Sequence, residues 1–372
     1  HLLEHMAFKG TRRRSALSIA EEIEAVGGHL NAYTSRENTA YFAKVLKEDV
    51  PLAVDIIADI LQHATMEATE LERERAVVIQ EIHQSNDTPD DIIFDHFQKT
   101  AYPDQAMGRP VLGAAKLIEA LPRETIVNYM KGQYSASKVV VAAAGNVDHD
   151  AFVKLAEAAF CDLPEENATT DEPIIYKGGD YREARELEQV HVVLGLKGVS
   201  FKDQNYYPMS VLSMLLGGGM SSRLFQEARE KRGLVYSIYS FISNFEDGGI
   251  FGVYAGTGRD EVVELIPVIC DEIRKLTDLV GADELARARA QLKSATLMTL
   301  ESTASRSEQV ARQLQIFDRV VPVNEVIENI ENVDATAIKH TAARMIATTP
   351  TLAALGQTDK LAAYKAVVAR LN

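Results

Sequence analysis

ELERERAVVIQE (Glu70–Glu81) returns later in the chain as ELARARAQLKSA (Glu284–Ala295). Glu70, Leu71, Arg73, Arg75 and Ala76 recur as Glu284, Leu285, Arg287, Arg289 and Ala290. At the same offset LLEHM (Leu2–Met6) falls on LGGGM (Leu216–Met220), and AAAGNVD (Ala142–Asp148) reappears, slightly drifted, as AALGQTD (Ala353–Asp359). Three echoes in one order, at nearly one spacing, predict a tandem duplication. A chain of 372 residues also exceeds one ordinary core, so two copies of one domain account for its length.

Working outward, SIAEEIEAVGG (Ser18–Gly28) reads as a helix with a capping box at Ser18 and Glu21 and a glycine stop. HLNAYTSRENTAYFAKVL (His29–Leu46) reads as two strands joined at Ser35–Asn38. VPLAVDIIADILQHA and ATELERERAVVIQEIHQ carry apolar residues at helical spacing, and KVVVAAAG (Lys138–Gly145) reads as a buried strand. Strands and helices mix without the alternation of a Rossmann sheet. The expected fold is therefore α+β, twice over, each copy a mainly antiparallel sheet packed with helices. The polar, proline-containing stretch Leu163–Gly179 reads as the linker, giving domains over 1–165 and 180–372 with 166–179 between them. Before its LGGGM segment the second half has a β-branched strand, EQVHVVLGLKG (Glu188–Gly198), and a helix, YYPMSVLSMLL (Tyr206–Leu216). The first half has neither, so the sequence is expected to lack a strand and part of a helix ahead of His1.

The two copies differ at telling places. His1, Glu4 and His5 align with Leu215, Gly218 and Gly219, and Glu74 and Glu81 with Ala288 and Ala295. Only one copy carries metal-type residues. Four positions apart on a helix, His1 and His5 share a face and can direct imidazole nitrogens at one ion. Glu4 stands beside them, placed to reach a water without itself ligating. Catalytic zinc takes three protein ligands and leaves a position open. Glu74 and Glu81, two helical turns apart, share a face; one can be the third ligand while the other orients a histidine.

Composition bounds the rest. Apolar residues make up 46% and charged residues 25%, the balance of a soluble globular chain without a membrane-spanning run. A net charge of −15 argues against nucleic acid and favours cationic partners. Cys161 and Cys270 stand far apart in no ligand spacing. The glycines of LLGGGMSSRLF (Leu215–Phe225) lack the Gly-Lys-Ser/Thr of a phosphate loop and read as a helix end and a tight turn.

HLLEH is a His-x-x-Glu-His motif. With HLNAYTSRENTAYFAKVL and ERERAVVIQEI, it resembles the pitrilysin-type metallopeptidases, nearest to the beta subunit of mitochondrial processing peptidase and its bacterial relatives. The resemblance implies a zinc endopeptidase whose two domains form a clam-like chamber around an unfolded or presequence-like peptide. It implies that His1, His5 and Glu81 bind zinc, that Glu4 is the general base, and that Glu74 is a supporting carboxylate. It further implies that Asn31, Ala32 and Tyr33 lie on a sheet edge that pairs with the substrate. Arg229 and Tyr236 match residues the second domain contributes to catalysis, and Asp91 and Asp95 match positions that read an arginine near the cleavage site. Expected partners are a peptide substrate and a second subunit, either a like chain or a noncatalytic homologue. The expected compartment is the bacterial cytoplasm, with the mitochondrial matrix as the alternative. The competing function is a noncatalytic assembly subunit similar to the core proteins of the bc1 complex.

Overall fold

The computed structural model describes residues 1–164 and 172–371. Residues 166–171 of the expected linker lie outside them. The chain divides into two compact units. The first comprises His1–Gln84, Pro110–Asp171 and Glu301–Asp318; the second comprises Ser85–Arg109, Glu172–Leu300 and Arg319–Asn372. Each unit thus contains a segment from the other half of the sequence.

The first unit begins with α1 (Leu2–Ala7) and α2 (Ala16–Ala25). The cap of α2 is Ser15, whose hydroxyl accepts from the Ser18 N–H at 3.0 Å. The capping box expected at Ser18 and Glu21 is therefore misplaced by three residues, because Ser18 already lies in the first turn. The glycine stop is where it was expected: Gly27 adopts a left-handed φ of 67°, and the Gly28 N–H reaches back to the Ile23 carbonyl. β1 (His29–Thr34) and β2 (Thr39–Lys44) form an antiparallel hairpin with Asn31 opposite Phe42 and Thr34 opposite Thr39. Leu30 and Tyr41 turn inward onto Ile19 and Ile23 of α2 and onto Ile56 and Ile60 of α3 (Val50–His63). α4 (Ala68–Asn86) lays Leu71, Val78 and Ile82 against Leu2, Leu3 and Met6 of α1.

Lys138–Gly145 is not the expected buried strand. Val139–Ala144 forms no ladder, and Val141 is exposed. Its counterpart in the second copy is flanked by two strands. Among the described residues of the first unit there is only the β1–β2 pair, so an apolar extended segment finds no ladder partner. The helix Thr303–Phe317 lies along it instead, with Ser307 Oγ donating to the Ala142 carbonyl at 3.2 Å.

In the second unit, α5 (Pro89–Ala101) covers one face of a five-stranded sheet. Its strands are β3 (Gly179–Ala184), β4 (Val190–Lys197), β5 (Val235–Asn244), β6 (Gly249–Thr257) and β7 (Thr351–Gly356), in the order β3-β7-β4-β6-β5. Every pairing is antiparallel except β3 with β7. The alternation of β4 sends Val193 towards α5 and Val192, Leu194 and Leu196 into the larger core, which the helices Tyr206–Gly217 and Val262–Lys275 complete. Gly195 permits the approach of α5: a Cβ there would come within 2.3 Å of the Phe97 ring.

Candidate metal centre

Apolar packing positions the polar residues. Leu2, Leu3 and Met6 anchor the short helix α1 on Leu71, Val78 and Ile82 of α4. Leu71 and Val78 stand three residues before and four after Glu74, and Val78 stands three before Glu81, so both carboxylates fall beside the face that meets α1. His1, Glu4 and His5 occupy the side of α1 that this packing leaves over.

His1 Nε2 lies 3.6 Å and His5 Nε2 lies 3.7 Å from the same oxygen, Glu81 Oε2. One ligand atom from each of these three side chains lies within 4.8 Å of the others, the one group of its kind among the described residues. These separations are too long for hydrogen bonds. They suit atoms sharing a tetrahedral ion, whose bonds of about 2.0–2.1 Å place neighbouring ligands about 3.4 Å apart. Glu81 Oε2 is buried and has no hydrogen-bond partner, a costly state for a carboxylate oxygen unless a cation faces it. Two imidazoles and one carboxylate form a zinc-type donor set, so the residues present fit the ion.

Behind the ligands, Glu74 is buried at 5% exposure. Its Oε2 meets His5 Nδ1 at 2.9 Å, leaving His5 Nε2 directed at the centre. Its Oε1 takes an ion pair from Lys9 Nζ at 2.6 Å. Burial would raise the Glu74 pKa, but the bonds from Lys9 and His5 prevail and hold it below the usual carboxylate range. A carboxylate kept charged on Nδ1 fixes the imidazole tautomer and makes Nε2 a better donor to metal. Glu4 is likewise buried and accepts a hydrogen bond from the Thr34 hydroxyl. Thr39 Oγ1 follows at 3.5 Å from Thr34 Oγ1, and Tyr134 and Tyr41 join hydroxyls at 3.0 Å nearby.

Sequence reasoning missed Lys9 and Thr34. Lys9 carried a legible signal, standing four residues after His5 in the same short motif. Thr34 carried a weaker one, its alternation with Ala32 and Leu30 on the inward face of β1.

The free edge of β1 follows from its register. Ser35 N–H bonds to the Asn38 carbonyl, so Tyr33, Asn31 and His29 direct their backbone groups at β2. Leu30, Ala32 and Thr34 direct theirs outward, where the Asn31 side chain caps the Ala32 N–H at 2.8 Å. The Asn31 and Tyr33 side chains are exposed on the outer face.

The remaining site candidates lie in the second unit. Arg229 is exposed on a π-helical turn, Phe225–Glu230, with its guanidinium 4.9 Å from the centre of the Phe225 ring. Tyr236 is 74% exposed at a β-bulge of β5, where the register jumps from Val235 to Ser237. A bulge re-aims a side chain out of the pleat, as it does here. Asp91 and Asp95 lie on α5, and Asp91 accepts from Ser85 Oγ at 2.8 Å.

Residues 1–115 match the insulinase family, peptidase family M16, and residues 120–292 match the M16 inactive domain. An uncharacterized zinc protease of Rickettsia felis is 39% identical over 96% of this chain and 87% of its own length. A probable mitochondrial-processing peptidase subunit beta of Arabidopsis thaliana is 37% identical over 93% of this chain and 68% of its own. Among solved structures, a chain of complex III2 from Candida albicans, with Inz-5 bound, superimposes with a TM-score of 0.86 over 100% of this chain and 91% of that one. At 20% identity that likeness concerns the fold alone.

Proposed function

This chain belongs to the insulinase (M16) peptidase family, and we propose that it is a zinc endopeptidase acting on unfolded, presequence-like peptides. His1, His5 and Glu81 hold the metal, and Glu4 is the general base. The convergence of two imidazole nitrogens on the orphaned Glu81 oxygen carries the reading. Zinc held there brings the pKa of a water towards neutrality and polarises a carbonyl. Glu4 accepts a proton from the attacking water as its oxygen bonds to the carbonyl carbon, and returns it to the nitrogen as the C–N bond breaks. Glu74 steadies His5 throughout.

The outward N–H and C=O of Ala32 suit an extended peptide added as a strand to β1, with the Asn31 amide yielding its place on the Ala32 N–H. Arg229 and Tyr236 are assigned as donors to a peptide carbonyl or its oxyanion, and Asp91 and Asp95 as acids that read an arginine near the cut. A dimer, of like chains or with a noncatalytic homologue, and a bacterial cytoplasmic location complete the proposal. Among the described residues no helix is long and apolar enough to cross a membrane.

The test is cleavage of an arginine-containing presequence peptide. The zinc-loaded wild type is expected to cut it, and Glu4→Gln to cut it about 10²–10⁴-fold more slowly with its zinc retained. Equal rates would remove Glu4 from the chemistry. Zinc bound without Glu4-dependent cleavage would favour the noncatalytic subunit.

A further inference from the structure

We infer that Glu308 is a specificity residue of the first unit, selecting a basic side chain on the substrate strand beside Tyr33. The inference rests on the proposed addition of a peptide to β1.

The helix Thr303–Phe317 lies far from β1 in sequence but belongs to the same compact unit. From it, Glu308 Oε1 accepts a hydrogen bond from Tyr33 OH at 3.0 Å. Tyr33 faces outward, and its ring lies 6.4 Å from that of Phe42, a second exposed aromatic on the same face of the hairpin. Two rings of the hairpin and one carboxylate of the helix thus sit together beside the strand proposed to take a peptide at its edge.

Strand geometry fixes what meets them. Tyr33 gives its backbone groups to β2, so on the free edge it occupies a non-hydrogen-bonded position. The peptide residue across from it lies about 4.5 Å away at Cα, with its side chain on the same face. An arginine or lysine there can lay its aliphatic stem over Tyr33 and Phe42 and bring its charge to Glu308. Glu308 is exposed and Tyr33 occupies one of its oxygens, so a second donor has an acceptor to reach. Arg312, one turn further along the helix, acts on Tyr33 with opposite charge and tempers the preference.

The experiment compares kcat/KM for peptides carrying Arg, Gln or Glu at each successive position around the cut. In the wild type, one position, distinct from the one assigned to Asp91 and Asp95, is expected to favour Arg over Gln about fivefold, the size of a partly exposed charge pair. Glu308→Gln removes that ratio, Glu308→Lys inverts it towards Glu, and Arg312→Ala enlarges it. Ratios equal to wild type in both Glu308 variants overturn the inference. If no peptide is cleaved, the hydrolase reading fails. The same ratios are then measured as binding of fluorescent peptides by anisotropy, and equal affinities of wild type and Glu308→Lys for the Arg and Glu peptides overturn the inference there too.

Discussion

At the scale of single residues, the centre depends on which group satisfies which. Glu4 is a buried carboxylate, and the Thr34 hydroxyl is its partner. Removing that donor frees the carboxylate to rotate away from its task. Thr34→Val is therefore expected to lower kcat about 10- to 100-fold with KM little changed, and Thr34→Ser to restore it. Steady-state kinetics on one peptide check both; equal loss in the two variants would point to packing instead. His1, Glu4, His5 and Glu81 were legible because ligand chemistry restricts residue types and because the second copy lacks them. Thr34 was only weakly legible: alternation places it on the inward face of β1, but a threonine in a strand has an ordinary reason to be there. Glu308 had no signal in sequence at all, because only the folded path of the chain brings it to Tyr33.

At the scale of elements, α1 and α4 form the centre and Lys9 braces it. Lys9→Met, which leaves Glu74 with His5 alone, is expected to weaken zinc affinity about 10- to 100-fold, measured by competition with a chelator. A second brace lies on α3, where buried Asp59 accepts from Thr11 at 2.8 Å and pairs with Arg14 at 2.9 Å and Arg13 at 3.2 Å. Asp59→Asn is expected to destabilise the fold by about 1.5 kcal/mol in urea denaturation, because it removes the buried one of the three carboxylates around Arg14 and leaves Asp55 at 2.6 Å and Glu22 at 2.9 Å. Burial would raise the Asp59 pKa, but Thr11, Arg14 and Arg13 outweigh it and hold the pKa below its ordinary value. Its folded pKa lies below its unfolded one, so its stabilisation is fully present above the unfolded value. That contribution is lost as pH falls through the folded value. Wild type should lose stability below about pH 4 more steeply than Asp59→Asn does. Helices and the hairpin were legible as periodicity and turn chemistry. Lys138–Gly145 was misread because an apolar run tells of burial, whereas a strand also needs a neighbour to pair with.

At the scale of the whole molecule, the duplication was legible, but the way the copies share their parts was not. At the offset that relates Glu70 to Glu284, Pro89–Ala101 falls on Thr303–Gln315. The first of these helices packs in the second unit and the second packs in the first, so the repeats have exchanged equivalent helices. Sequence similarity identifies the copies but does not record which neighbour each helix covers. The net charge of −15 fits a preference for basic peptides, which cleavage should lose as salt is raised. In the proposed centre one ion joins two short pieces of chain, α1 and α4. Zinc K-edge absorption of the metal-loaded protein tests it most directly. One zinc per chain is expected, with two imidazole nitrogens and a carboxylate oxygen at about 2.0–2.1 Å and a further light ligand. A spectrum unchanged by Glu81→Ala, or a chain that takes up no zinc, would contradict it.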